Sequence, residues 1–327
     1  MDDRAIFAFL ADAARNGARA VLVTLVSALG SSMRSAGAHM AVAEDGKYTG
    51  SLSGGCIERA VVAEAIEALA DDAPRVTRFG QGSRYIDIRL PCGGGADLHF
   101  QPLADAGLAR QALAAIDDRV PFTLELAAAD EAPRFTCGWQ ATHWDLERGV
   151  ATVGHWPQPR LLVAGHGATV EALARQARAW GADLAVATPD RPLAETLQRE
   201  GFAAHALRSP ADTAALASDA WTAIVFLFHD HDWEPALIAH ALSLPHFFIG
   251  AMGSRRAHAA RCEALRALGV DEGAVRSIKG PVGLFHSVRD PSTLALSVLA
   301  EVAERHRNHD FAAATLATAA TTIRQTG

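Results

Sequence analysis

The sequence predicts an α/β protein in two parts, an N-terminal α+β region followed by a doubly wound parallel sheet. Three observations carry this. From about Arg160 short apolar runs alternate with stretches of helical period, the pattern of parallel strands covered by helices on both faces. Before that point, strand candidates joined by a tight turn and by glycine loops surround two helices. Pro157-Gln158-Pro159 separates the two rhythms and reads as a linker. A chain of 327 residues also exceeds one ordinary core and favours about two domains of ~150 residues. The expected division is 1–157, 158–309 and a tail, 310–327.

The elements follow in order. Residues 3–16 form a short helix with Ile6, Phe7 and Leu10 on one face. A strand over 19–27 precedes a second at 38–43. Glu44-Asp45-Gly46-Lys47 turns that strand into its hairpin partner, 47–51, with Gly46 free to take positive φ. Residues 56–69 form a helix whose apolar stripe is Ile57, Val61, Ile66 and Leu69. Strand candidates follow at 75–79, 85–90 and 97–101, then a helix at 104–117 and an aromatic-bearing β region at 121–156. In the second part, strands at 161–164, 184–188, 223–228 and 247–249 alternate with helices at 168–180, 192–200, 234–241 and 254–268. A helix at 292–307 closes it, and an alanine-rich tail is helical at its start.

Composition narrows the function. The chain is half hydrophobic and carries a net charge of -7, which argues against a nucleic-acid partner. No apolar run reaches the ~20 residues of a membrane span. The start, Met1-Asp2-Asp3-Arg4, is unlike a basic signal peptide, so a cytoplasmic location is expected. Four cysteines are widely separated with no Cys-x-x-Cys pair, which fits free thiols better than a zinc knuckle or disulfides.

Six segments could carry chemistry. Val163-Ala164-Gly165-His166-Gly167-Ala168 joins strand to helix as in a Rossmann-type dinucleotide fold. It keeps the second glycine, has the tolerated alanine third, and has Val163 where the first glycine belongs. Asp190 follows the next strand, in the place of the acid that binds ribose. The helix start offers N–H groups to a phosphate; the alternative is a Rossmann-like domain that binds no nucleotide. In Ser51-Leu52-Ser53-Gly54-Gly55-Cys56-Ile57-Glu58, the glycines let backbone approach a ligand. The helix start favours the Cys56 thiolate, which suits soft-metal or sulfur chemistry. The plainer reading is a small buried cysteine.

Pro91-Cys92-Gly93-Gly94-Gly95 offers a second cysteine beside glycines, either paired with Cys56 at one site or in a tight turn. Arg34, in the small-residue loop 30–38, could clamp a phosphate or carboxylate, or stand in solvent. His229-Asp230-His231-Asp232 follows a strand at the ligand-binding end of the sheet and faces a ligand or, less simply, a divalent metal. In Gly253-Ser254-Arg255-Arg256, Ser254 caps a helix whose first turn carries two cations. They oppose the dipole, so a nearby anion would relieve the conflict. No Walker loop, nucleophile elbow or His-Glu-x-x-His is present, which leaves NTPase and hydrolase readings without support.

In order, these motifs resemble the XdhC/CoxI family, accessory proteins of molybdenum hydroxylases such as xanthine dehydrogenase. The resemblance lies in residues 34–42, 50–58 and 92–94, then in Ala164-Gly165-His166, Asp190-Arg191, His231-Asp232, 249–256, 280–284 and 299–302. It implies a chaperone that binds molybdenum cofactor (molybdopterin or a nucleotide derivative). It further implies support for the cofactor's sulfuration with a cysteine desulfurase and insertion into the apoenzyme, with a homodimer possible. Carried over, Cys56 and Cys92 stand near the molybdenum. Arg34, Ser53, Gly54, Gly55, Glu58, Gly93, Gly165, His166, Gly167, Asp190, Gly253, Ser254, Arg255 and Arg256 contact the rest of the cofactor. The sequence departs from the family at Ser32-Met33, at Val163 and at Phe285-His286-Ser287-Val288, where Asp-Ile-Gly-Ala is usual, so the ligand could differ. An NAD(P)-dependent oxidoreductase is the alternative.

Overall fold

A computed structural model describes residues 3–30, 34–55, 57–83, 94–128, 131–229, 232–285 and 288–313. The expected strand at 85–90, together with Cys56, Cys92, Gly93, Asp230 and His231, lies outside them. The chain divides into two compact units, Met1–Pro157 and Gln158–Gly327.

The first unit holds α1 (Asp3–Arg15), β1 (Ala20–Leu29), β2 (His39–Ala43), β3 (Tyr48–Gly50), α2 (Glu58–Asp71), β4 (Arg75–Gly80), β5 (Gly95–Leu103), α3 (Gly107–Asp117), β6 (Phe122–Ala127), β7 (Arg134–Cys137), β8 (His143–Asp145) and β9 (Val150–His155). Five strands form an antiparallel sheet in the order β3-β2-β1-β5-β4, and four form a second in the order β7-β6-β9-β8. Alternate residues of β1 feed two cores because side chains alternate across a strand. Val21, Val23 and Leu25 pack with Val61, Ala65 and Leu69 of α2. Ala20, Leu22 and Val26 pack with α1, α3 and the inner face of the second sheet.

Sequence periodicity put Ile66 in the α2 stripe, but it is 41% exposed. Small Ala65 and Ala68 seat the helix on the sheet instead, and Glu58 and Glu64 are buried. The helix also begins at Glu58, two residues later than expected.

Between the two sheets, a polar chain crosses the apolar core. Thr24 Oγ1 lies 2.8 Å from His39 Nδ1, His39 Nε2 lies 3.3 Å from His155 Nε2, and His155 Nδ1 lies 3.0 Å from Asp3 Oδ2. Burial, and then repulsion from His155, pushes the His39 imidazole down to about 3.

The second unit holds β10 (Arg160–Gly165), α4 (Ala168–Trp180), β11 (Asp183–Thr188), α5 (Arg191–Arg199), β12 (Ala203–Ala206), β13 (Thr222–Leu227), α6 (Glu234–Ala241), β14 (Phe248–Ala251), α7 (Arg255–Ala267), α8 (Glu272–Ser277) and α9 (Pro291–Asn308). Its strands are parallel in the order β12-β11-β10-β13-β14. This is a Rossmann-like sheet, with the order reversing beside β10. Helices α4, α5 and α9 cover one face and α6, α7 and α8 the other. Strand β12 and helix α8 were not expected from the sequence.

Candidate functional site

In the first unit, register gathers three of the motif loops at one end of the five-stranded sheet. Leu29 pairs with Gly95, Gly80 with Gly95, Thr24 with His39 and Met40 with Gly50. The segments after β1, β3 and β4 therefore leave the sheet at the same end. A Cβ at Gly30 would stand 3.4 Å from the Gly94 Cα, so the first and third loops touch. Arg34 is half-buried there.

The Ser51–Glu58 loop is built around its own carboxylate. Glu58 Oε1 accepts from the Ser51 hydroxyl at 2.6 Å and from the backbone N–H groups of Leu52 and Ser53 at 3.2 and 3.0 Å. Oε2 accepts from the Ser53 hydroxyl at 2.7 Å and from the Ile57 N–H at 3.2 Å. Burial opposes ionisation, but the hydrogen bonds from Ser51 and Ser53 outweigh it and lower this carboxyl to about 2. Glu58 thus binds its own loop rather than presenting itself outward. It also places a negative charge at the start of α2, where the dipole favours one. The dipole invoked for the Cys56 thiolate is already balanced in part by this neighbour. Gly54 and Gly55, at φ 76° and 112°, are exposed at the loop's tip in a conformation that favours glycine.

In the second unit, a cavity of about 870 Å³ opens beyond the carboxyl ends of the strands, the usual ligand position in such sheets. The β13–α6 connection contributes Phe228 and His229, and the β14–α7 turn contributes Met252, Gly253, Ser254 and Arg255. Thr169 of α4 and Arg289 close the polar side, with Phe285 among the apolar residues. Ser254 caps α7 by accepting from the Ala257 N–H at 3.1 Å, as the sequence predicted. Arg255 and Arg256 are both exposed, and Arg255 alone of the two lines the cavity.

Val163 and Ala164 belong to β10, as expected, and are fully buried; the strand runs one residue further, to Gly165, leaving His166 and Gly167 as the connection. Gly165 is required by close packing, since a Cβ there would stand 2.5 Å from the Leu227 carbonyl oxygen. His166 is half-buried against Phe228 and His229, beside the cavity. Asp190 caps α5 by accepting from the Leu193 N–H at 3.0 Å and is not among the described lining residues.

A loop on the far wall is fastened to α9. The Gly283 N–H donates to buried Glu301 at 2.6 Å, and the Phe285 N–H to the Ser297 hydroxyl at 2.7 Å. Sequence reasoning met Gly283 and Glu301 only within the family pattern, without a role, and did not single out Arg289 or Ser297. Asp290-Pro291, a helix-start signal, was the available pointer to Arg289. Among the described residues, no group of three or more His, Cys, Asp or Glu side chains could hold a metal. No helix there is long and apolar enough to cross a membrane.

Comparison with known proteins shows what the chain is similar to. A family profile described as the XdhC Rossmann domain matches residues 161–302, and one described as the XdhC and CoxI family matches residues 13–80. The molybdenum cofactor insertion chaperone PaoD of Escherichia coli (strain K12) is 36% identical over 302 residues, spanning 92% of this chain and 88% of that protein. The uncharacterized protein YqeB of the same strain is 25% identical over 298 residues, 88% of this chain but 43% of YqeB. Among solved structures, one described as a xanthine dehydrogenase from Bacillus halodurans superposes with a TM-score of 0.77 at 20% identity. That match covers 95% of this chain and 97% of the other, and it establishes likeness of fold.

Proposed function

The chain belongs to the XdhC and CoxI family, and on that premise we propose that it binds molybdenum cofactor and inserts it into a molybdenum hydroxylase of the xanthine dehydrogenase type. The observation that carries this reading is the likeness to PaoD along nearly the whole chain. The cavity suits the anionic part of such a cofactor. Arg255 and Arg289 supply positive charge, and Thr169 and Ser254 stand at two helix starts where phosphate is favoured. Phe228, Met252 and Phe285 offer apolar surface to a flat ring. When bound, the cofactor would supply a sulfur-ligated molybdenum centre for its eventual host enzyme. Cys56 and Cys92 are our candidates near that metal, and a cysteine desulfurase is our candidate sulfur donor.

The dinucleotide oxidoreductase reading has less to rest on. Asp190 is engaged as a helix cap, and the first-glycine position is a buried strand valine. The test is anaerobic incubation with molybdenum cofactor released from a purified molybdoenzyme, followed by ultrafiltration. Near-stoichiometric retention is expected, with weaker retention by Cys56→Ala and Arg255→Ala. If no pterin is retained by the unaltered protein, the proposal fails.

A further inference from the structure

Outside every sequence motif, Arg261 of α7 and Glu234 at the start of α6 form a buried ion pair. Each side chain is only 1% exposed. The guanidinium meets the carboxylate in a fork, Nε to Oε2 at 3.0 Å and Nη2 to Oε1 at 3.1 Å. The same Nη2 donates to the Met252 carbonyl at 2.6 Å. Met252 is the last residue in register with the sheet, its N–H bonded to the Phe226 carbonyl at 2.8 Å. The chain then swings through Gly253, at φ 136°, into the Ser254 cap. A Cβ at Gly253 would stand 3.5 Å from Arg261 Nη2, so the guanidinium lies directly against this turn.

Burying such a pair contributes little net stability, because desolvation of both charges offsets their attraction, and apolar replacements of similar volume are often as stable. The α6–α7 contact is also covered by Leu237, Ile238 and Leu265. What an apolar pair could not reproduce is a donor aimed at the Met252 carbonyl while its other face is fixed by Glu234. One end of the tie, Glu234, stands at the start of α6, which follows the connection bearing His229 of the cavity wall; the other reaches Met252, at the head of the wall segment Met252 to Arg255. We infer that Arg261 and Glu234 are positioning residues, which hold these two connections in one register so that the Gly253-Ser254-Arg255 turn is preformed for an anionic ligand. This rests on the cofactor-binding reading of the same cavity.

The experiment uses the full chain as Arg261→Met/Glu234→Met, as Arg261→Lys, and unaltered. Hydrogen exchange at residues 252–256, melting temperature, and retention of anaerobically released molybdenum cofactor are read together. The double variant is expected to melt close to the unaltered protein, to exchange faster at 252–256, and to retain the cofactor about tenfold more weakly, as ~1.4 kcal/mol would produce. Lysine keeps the charge but cannot form the fork and reach Met252 together, so it should not rescue retention. Unchanged exchange at 252–256 in the double variant, or rescue by lysine, overturns the inference. If the unaltered protein retains no cofactor, the function proposal falls on that result, and exchange at 252–256 still decides whether the tie holds the turn.

Discussion

Single residues show where the sequence spoke clearly and where it could not. The Ser-Gly-Gly-Cys-x-Glu pattern was visible as a loop at a helix start. The direction of Glu58 was not, because an outward ligand and an inward clamp share the same spacing. Only the curl of the loop brings five donors onto one carboxylate. Glu58→Ala strands those donors and should lower stability by roughly 2–4 kcal/mol, measurable by denaturant melting. His39 makes a second prediction. Its folded value of about 3 lies below the ordinary 6.5, so between these pH values the unfolded chain takes up a proton that the folded chain does not. Stability is therefore complete above about 6.5 and falls as the pH drops, at up to about 1.4 kcal/mol per pH unit from this group. Burial lowers His99 in the same direction. Melting midpoints from pH 7 to pH 4.5 should fall for the native protein and less steeply for His39→Gln.

At the scale of elements, the long periodic segments were legible and the short ones were not. Each helix flanking the parallel sheet carries an apolar stripe, and Ser254 marks a helix start that the structure confirms, whereas Asp190, expected to meet a ribose, and Asp290 prove to be caps of α5 and α9. Strand β12, Ala-Ala-His-Ala, has no branched or aromatic residue and sits half-exposed at the sheet edge, so nothing in its composition announces a strand. Helix α8 has six residues, too few for a period to register. Two elements can be tested directly. Gly165→Ala forces a methyl against the Leu227 carbonyl of the neighbouring strand and should cost about 1–3 kcal/mol, read as a lower melting temperature. Glu301→Ala removes the acceptor for the Gly283 N–H, and amide exchange at 283–285 should speed up while the core of α9 stays protected.

For the whole molecule, the described buried residues form four cores, two in the first unit and two in the second. Perturbations confined to different cores should then add. Combining Gly165→Ala with His39→Gln is expected to give the sum of the two stability changes within about 0.5 kcal/mol, with a larger discrepancy showing coupling between the units. The function was legible at this scale mainly through the order of motifs along the chain. Composition argued against a nucleic-acid partner without naming another, and no single loop was specific. Of the cavity wall, 280–284 and 285–288 were marked by the family pattern, but Arg289 was not, because it gains meaning only when α9 folds back over the sheet.

The self-satisfied loop around Glu58 has a consequence for competition among solutes. Inorganic phosphate, sulfate and nucleotides would each seek backbone N–H groups at a helix start, yet at α2 those of Leu52, Ser53 and Ile57 already face a tethered carboxylate at high local concentration. Free anions at millimolar levels should therefore leave this loop untouched. Selection of a ligand at this loop would then rest on groups other than these backbone donors.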